Sequence, residues 1–150
     1  MAYSLKKVTI RTDNSPEGMA RIGELWQHVM EGRLPLMADS SGAPLEGMAA
    51  VSEYSGYASD ENGEYDMSII AAPPAFFRQM EQETSRGVYA KYEESGDDVG
   101  ACAQAAWARV WADKQAGRLN RAYTHDYECT MPAEFSQDGR ATCCLYIAVE

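Results

Sequence analysis

The sequence lacks the features by which several classes of protein are recognised. It contains no apolar run of the roughly 20 residues that a membrane-spanning helix needs, and no apolar signal-peptide stretch near its start. It also contains neither a G-x-x-x-x-G-K-S/T nor a G-x-G-x-x-G motif, so a nucleotide-binding prediction has no support. We therefore expect a cytoplasmic protein without membrane association.

Basic residues are few as well. The chain has 13 of them against 23 acidic residues, which gives a net charge of −10. Because a phosphate backbone repels such a surface, we expect no direct nucleic-acid binding. The same charge favours cations near the surface.

Histidine and cysteine do not form a metal-binding or redox motif. Neither His28 nor His125 has a partner at metal-ligand spacing, and we interpret His125 and its neighbour Asp126 as a surface pair. The four cysteines contain no C-x-x-C, so they predict reduced, mostly buried thiols. The sequence thus predicts no metal and no cofactor.

The first part of the chain reads as a strand, a helix and a hairpin. "SLKKVTIRT" alternates and is typical of a strand, and a helix follows with Ser15 as its N-cap and Pro16 at its first position. The Pro/Gly/Ser-rich stretch 33–47 predicts a loop. "MAAVSEYSGY" and "EYDMSIIAA" then predict two strands joined by a turn containing Asn-Gly.

The part after Pro73 and Pro74 predicts the same strand, helix and two strands, preceded by one further strand. "FFRQMEQETSRGVYAKYEESG" is interpreted as two strands that turn near "SRG". "DDVGACAQAAWARVWADKQAG" predicts a helix capped by Asp97 or Asp98, and "NRAYTHDYECTMP" and "ATCCLYIAV" predict two closing strands.

A short repeat supports this reading of two similar halves. Trp26 and Trp111 each begin the pattern Trp, five residues, Gly-Arg-Leu, and each lies in the same part of a predicted helix. We therefore predict an α+β fold of two pseudo-twofold-related βαββ modules, with an antiparallel sheet, two main helices and a central ligand cleft. The halves are approximately 1–74 and 75–150 of a single domain.

Alternation along the last strands indicates which side chains face such a cleft. In "CCLYIAV", Leu145 and Ile147 share the face expected against the helices, whereas Tyr146 faces the other way. Glu128 lies mid-strand, where glutamate is a poor strand former. If it faces inward, a cationic ligand or a proton must compensate its lost hydration. The alternative is that it lies on a solvated edge face.

Aromatic residues could supply the walls of the cleft. Trp107 and Trp111 are four residues apart and lie on one stripe of the second helix, where they are either core residues or a platform for a flat ligand. Further candidate ligand-binding residues lie on the predicted elements of both halves: Trp26, Tyr54, Met67 and Tyr92.

Several motifs together resemble the GyrI-like effector-binding family. They are "IGELW" on the first helix, "SEYSGYASDENGEYDMSIIA" in the hairpin, "AWARVW" on the second helix, and "RAYTHDYECT" with "CCLYIAV" at the end. They span nearly the whole chain in order, and they are most similar to stand-alone, integron-associated effector-binding proteins. The sequence departs from the family at Tyr127, where Phe is usual, and at Thr130, where Tyr is usual.

The resemblance implies a cleft between two βαββ modules. It implies that Glu128 is the acidic residue at the base of the pocket, which contacts cationic lipophilic compounds, and that Tyr146 is the aromatic residue of the last strand. In AraC- and MerR-type activators this module is fused to a helix-turn-helix domain. Here the pattern takes up all 150 residues, so we expect no DNA-binding domain.

Three functions remain open from the sequence. The first is a stand-alone binding protein for cationic or amphipathic aromatic compounds, without catalytic residues. The second, which the resemblance suggests, is a hydrolase of cyclopropane-type reactive molecules, with Glu128 as general base and Tyr146 or another tyrosine polarising the substrate. The third is an inhibitor of a protein partner such as gyrase. In the sequence itself, only the net charge of −10 supports this function.

Overall fold

A computed structural model describes residues 7–30, 49–59, 63–131, 133 and 138–150. The chain divides into two compact units, Met1–Arg78 and Gln79–Glu150. The predicted loop 33–47 lies outside the described residues, as does part of the predicted hairpin turn. No described helix is long and apolar enough to cross a membrane.

The first unit contains a strand, a helix and two further strands. They are β1 (Lys7–Thr12), α1 (Pro16–Met30), β2 (Ala49–Ser55) and β3 (Tyr65–Ala72). The strands are antiparallel, and β3 lies between β1 and β2.

The second unit repeats this order after an additional helix. Its elements are α2 (Pro74–Ser85, which begins before the boundary), β4 (Tyr89–Gly96), α3 (Val99–Gln115), β5 (His125–Met131) and β6 (Ala141–Ala148). Here β6 lies between β4 and β5, again antiparallel. Each unit therefore places its third strand between its first and second, which confirms the predicted α+β class and the repeated βαββ order.

The helix α2 corrects one prediction. The stretch after Pro74 was expected to form a strand, but it is helical, so the described residues contain three helices rather than two. Phe76 and Met80 lie four residues apart, and both are buried on one side of the helix. Pro74 occupies the first helical position, which proline favours. The following strand β4 was predicted correctly.

The helix α1 packs on the sheet of the first unit. Leu25 and the inward residues of β3, among them Met67 and Ile69, form its core. The Ser15 hydroxyl accepts a hydrogen bond from the Gly18 amide at 3.1 Å, which agrees with its predicted role as the N-cap.

The helix α3 packs on one face of the sheet of the second unit. Asp98 caps it, because its carboxylate accepts a hydrogen bond from the Ala101 amide at 2.8 Å. Small residues line the helix where it meets the strands, which brings backbone and sheet close together. The core contains Cys102, Ala106 and Val110 from α3 with Cys143, Leu145 and Ile147 from β6. The predicted inward face of β6 is thereby confirmed.

Candidate functional site

The strand register determines which predicted site residues share a face in the second unit. Residues directly opposite each other on neighbouring antiparallel strands project from the same face. Leu145 is opposite both Tyr92 and Glu128, so these three project towards α3. Tyr146 is opposite Tyr127 and projects from the other face. The structure therefore does not bring Glu128 and Tyr146 together.

Glu128 lies half-buried against the helix α3. Its Oε2 atom accepts a hydrogen bond from Trp107 Nε1 at 2.6 Å. Trp107 in turn stacks on Trp111, with ring centroids 6.1 Å apart and planes at 30°. Because Trp111 is 41% exposed, the two indoles run from the carboxylate to the surface. The two tryptophans predicted to share one side of α3 therefore lie next to Glu128, the carboxylate predicted for the site.

A buried cation lies against the same indole. The guanidinium of Arg121 is 5.9 Å from the Trp107 ring centroid and 4.5 Å from that of Tyr123. It donates a hydrogen bond to Asp126 Oδ2 at 2.7 Å, and both side chains of this ion pair are at most 1% exposed. The other oxygen of Asp126 accepts from the Ala148 amide at 2.9 Å. Cation–π contact with Trp107 is therefore already part of the fold.

This ion pair corrects the interpretation of His125 and Asp126 as a surface pair. His125 is exposed, but Asp126 is fully buried. Neighbouring residues of a strand face opposite ways, so an exposed His125 is consistent with a buried Asp126. The buried ion-pair partner of Asp126 is Arg121, which lies outside the strand. Nothing in the sequence pattern indicated this pairing.

Tyr123 is a further residue that sequence reasoning missed. It has a φ of 55°, in the left-handed region that residues other than glycine seldom adopt. Its ring covers Arg121 on one side, and the Lys114 ammonium lies 5.7 Å from its centroid. Strained backbone of this kind persists where surrounding contacts fix it, often near functional sites.

Tyr146 belongs to a different group of polar residues. Its hydroxyl donates a hydrogen bond to Glu81 Oε1 at 2.7 Å, and the Lys91 ammonium lies 5.8 Å from its ring centroid. Lys91 also forms an ion pair with Glu81. Burial raises the pKa of Tyr146, whereas the hydrogen bonds from Lys91 and Tyr146 lower the pKa of Glu81. Glu81 lies on α2, the helix that was predicted as a strand.

Tyr92 is on the same face as Glu128, but its side chain is part of the hydrophobic core. Its side chain is buried, and its hydroxyl donates a hydrogen bond to Asp113 Oδ2 at 2.8 Å. Burial raises the pKa of Tyr92 to about 12. The Arg109 guanidinium lies 5.3 Å from its ring centroid.

The remaining predicted residues lie in the first unit. Met67 is fully buried in its core, and Trp26 and Tyr54 are half-buried against that core. Tyr54 is opposite Met67 in the register and contacts Tyr65 edge-on, with centroids 5.6 Å apart. All three residues therefore belong to the α1-facing side of this unit. Their role as ligand-binding residues stays a prediction.

Potential metal ligands form no cluster of three or more in the described part of the chain. Among these residues, no group of three or more His, Cys, Asp or Glu side chains is placed to hold a metal ion. The four cysteines are free thiols, two of them buried and two half-buried.

Alkaline solution is expected to destabilise the second unit. Burial raises the pKa of Cys129 to about 12, of Cys144 to about 11 and of Tyr92 to about 12, so the folded chain keeps protons that the unfolded chain releases. Their stabilising contribution is complete below the ordinary pKa values near 9 to 10 and is lost as the pH rises through the raised ones. Urea unfolding with a reductant should show the free energy of unfolding falling from about pH 8.5 to 11. A constant or rising value would contradict these shifts, and Cys129→Ser should flatten the slope.

Comparison with known proteins shows the fold and no more. No protein-family model matches the sequence, and no curated protein matches it. The chain is similar to the crystal structure of an integron cassette protein from the mobile metagenome of Vibrio cholerae, with a TM-score of 0.62 and 22% sequence identity. The alignment covers 99% of this chain and 92% of that chain. The two proteins therefore share an α+β fold over almost their full lengths.

Proposed function

We propose that this protein binds small, flat compounds that are cationic or amphipathic, on the α3-facing side of its second unit. The observation that carries the proposal is the half-buried Glu128 carboxylate, held by Trp107 Nε1 at 2.6 Å at the inner end of two stacked indoles. The exposed Trp111 gives a ligand a route to this arrangement. The motifs that resemble the GyrI-like family support the same class of function. The likeness to an integron cassette protein supports the α+β fold on which these residues lie.

The chemistry of these groups favours a positive charge on the ligand. A carboxylate that has lost part of its hydration gains most from a cation that replaces the lost water. An indole face attracts the same cation by about 0.5–2 kcal/mol. Micromolar affinity needs only about −8 kcal/mol, which stacking and one partly desolvated ion pair can reach after association costs.

Hydrolysis receives less support from the geometry. In one form of the sequence-based mechanism Glu128 and Tyr146 act on one substrate, but the register directs them to opposite faces of the strands. In the other form another tyrosine polarises the substrate, and Tyr92, which shares the face of Glu128, is buried and donates its hydroxyl to Asp113. Inhibition of a protein partner rests on the net charge of −10 alone. Binding without turnover is therefore the function that the described contacts favour.

The proposal is tested with two ligands of one shape and different charge. The cation N-methylacridinium and neutral acridine, at about pH 8, are titrated into the protein and into Glu128→Gln. We expect the variant to bind the cation at least about 30-fold more weakly, which corresponds to about 2 kcal/mol, and the neutral compound less than about 3-fold more weakly. Glu93→Gln is the matched control, because Glu93 is exposed on the other face of the sheet.

Two results would contradict the proposal. Equal weakening of both ligands in Glu128→Gln would remove the charge argument. Binding of neither ligand by the unchanged protein, together with the absence of any thermal shift across a panel of cationic dyes, would remove the binding function itself.

The outer indole gives an independent prediction. Trp111→Ala removes a ring that is 41% exposed and stacked on Trp107, so the free energy of unfolding should fall by only about 1–2 kcal/mol and the protein should stay folded. The affinity for N-methylacridinium should fall about 5-fold to 10-fold, since one aromatic face is lost. Isothermal titration and urea unfolding measure the two effects. An unchanged affinity would show that the ligand does not use this ring.

A further inference from the structure

A pair of cysteines in the second unit has no part in the proposed function. Cys129 on β5 and Cys144 on β6 are direct partners in the strand register, so both project from the face that points away from α3. Both are half-buried free thiols. Cys143, the chain neighbour of Cys144, projects into the core beside Cys102 instead. The fold therefore separates the adjacent cysteines and pairs two that are distant in sequence.

The spacing of strand partners suits an ion between the sulfurs better than a direct bond. Partners on neighbouring strands have Cβ atoms about 4.5–5.5 Å apart, whereas a disulfide brings its Cβ atoms to about 3.5–4.5 Å. With a metal–thiolate bond of about 2.3 Å, as for zinc, a linear S–metal–S unit spans about 4.6 Å. The strands then need to move less than they would for an S–S bond of about 2 Å.

A positive side chain lies beside the two thiols. Lys91 on β4 is opposite Tyr146 in the strand register, so it projects from the same face as the two thiols. Burial raises the pKa of both cysteines, and the charge of Lys91 opposes that shift at each of them. A negatively charged bis-thiolate would therefore have an ammonium group nearby, which favours a monovalent cation. Other titratable groups also act on the cysteines or face them from the neighbouring elements: Glu81 on α2, Glu93 on β4, Glu128 on β5 and Tyr146 on β6.

We propose that Cys129 and Cys144 form a two-coordinate binding site for Cu(I), a site separate from that of the proposed ligand. Soft thiolate ligands select soft cations such as Cu(I) over harder ions. Binding forms two copper–sulfur bonds and breaks two S–H bonds. One Cu(I) ion and two thiols give one anionic bis-thiolate complex and two protons in solution, with no change of oxidation state.

The site is tested by anaerobic titration of the full chain with Cu(I) in competition with a chromophoric Cu(I) chelator. We expect one tightly bound ion per chain, and an affinity at least about 100-fold lower in Cys129→Ser and in Cys144→Ser. Cys102→Ala is the matched control, because Cys102 is buried against α3, and it should bind as the unchanged protein does. Circular dichroism confirms that each variant is folded.

Three further measurements test the site: the pH dependence of the affinity, the effect of Lys91→Met and the number of sulfur ligands. After correction for the chelator, the affinity should rise about 100-fold per pH unit between about pH 6 and 8, since two protons leave. Lys91→Met should weaken Cu(I) binding. X-ray absorption on the unchanged protein should show two sulfur ligands, which does not depend on any variant.

Three outcomes would overturn the site. They are full Cu(I) affinity in either serine variant, an affinity that does not depend on pH, and loss of binding in Cys102→Ala. None of these outcomes bears on the acridinium titration, so the two proposals fail separately.

Discussion

Asp126→Asn should lower the free energy of unfolding by about 3–5 kcal/mol, the largest effect that we expect from a single polar substitution. The change leaves the Arg121 guanidinium, which is 1% exposed, without the carboxylate that lies 2.7 Å away. A buried charge whose counter-ion is removed keeps its full desolvation cost. The asparagine oxygen can still accept from the Ala148 amide, so the loss reports mainly on the charge. Urea unfolding followed by circular dichroism measures it.

The matched control is another aspartate paired with an arginine, but at the surface. Arg11 and Asp66 are 3.3 Å apart, and their side chains are 42% and 41% exposed. Exposed pairs of this kind contribute about 0–1 kcal/mol, so Asp66→Asn should change stability by no more than that. Similar losses in the two variants would show that burial of the Arg121–Asp126 pair does not determine its contribution.

Leu145→Ala should lower the free energy of unfolding by about 3–4 kcal/mol, within the range seen for buried leucines. Leu145 lies on the central strand of the second unit, is fully buried, and is opposite both Tyr92 and Glu128. Removing three carbon atoms there loses their transfer free energy and leaves a cavity beneath α3. Because that cavity adjoins Glu128, the variant should also bind N-methylacridinium more weakly.

Thr142→Ala on the same strand provides the comparison. Thr142 is exposed, so its substitution should change stability by less than about 0.5 kcal/mol. A loss below about 1 kcal/mol in Leu145→Ala would mean that the core around α3 relaxes to fill the space. Unchanged acridinium binding in that variant would place the ligand away from the α3 face.

For helix α2, the local sequence pattern was insufficient to distinguish a helix from a strand. The stretch contains two phenylalanines followed by polar residues, and its apolar positions fit a strand or a short helix almost equally. Burial resolves the ambiguity, because Phe76 and Met80 are buried whereas Arg78 between them is exposed. In a strand all three would share one face, but in a helix residue i+2 points away from residues i and i+4. That helix supplies Glu81, the hydrogen-bond partner of Tyr146. The sequence alone therefore could not predict which side chains contact Tyr146.

The sequence by itself determined the repeated βαββ order, the Ser15 cap of α1 and the inward face of β6, and it narrowed the cap of α3 to Asp97 or Asp98. These follow from caps, turns and the periods of 3.6 and 2 residues, which are local properties of a chain. Tertiary structure alone decided that Glu128 and Tyr146 face opposite ways, that Asp126 pairs with Arg121, and that Cys129 meets Cys144. Such pairings depend on strand register and on the packing of distant segments, which no local pattern specifies.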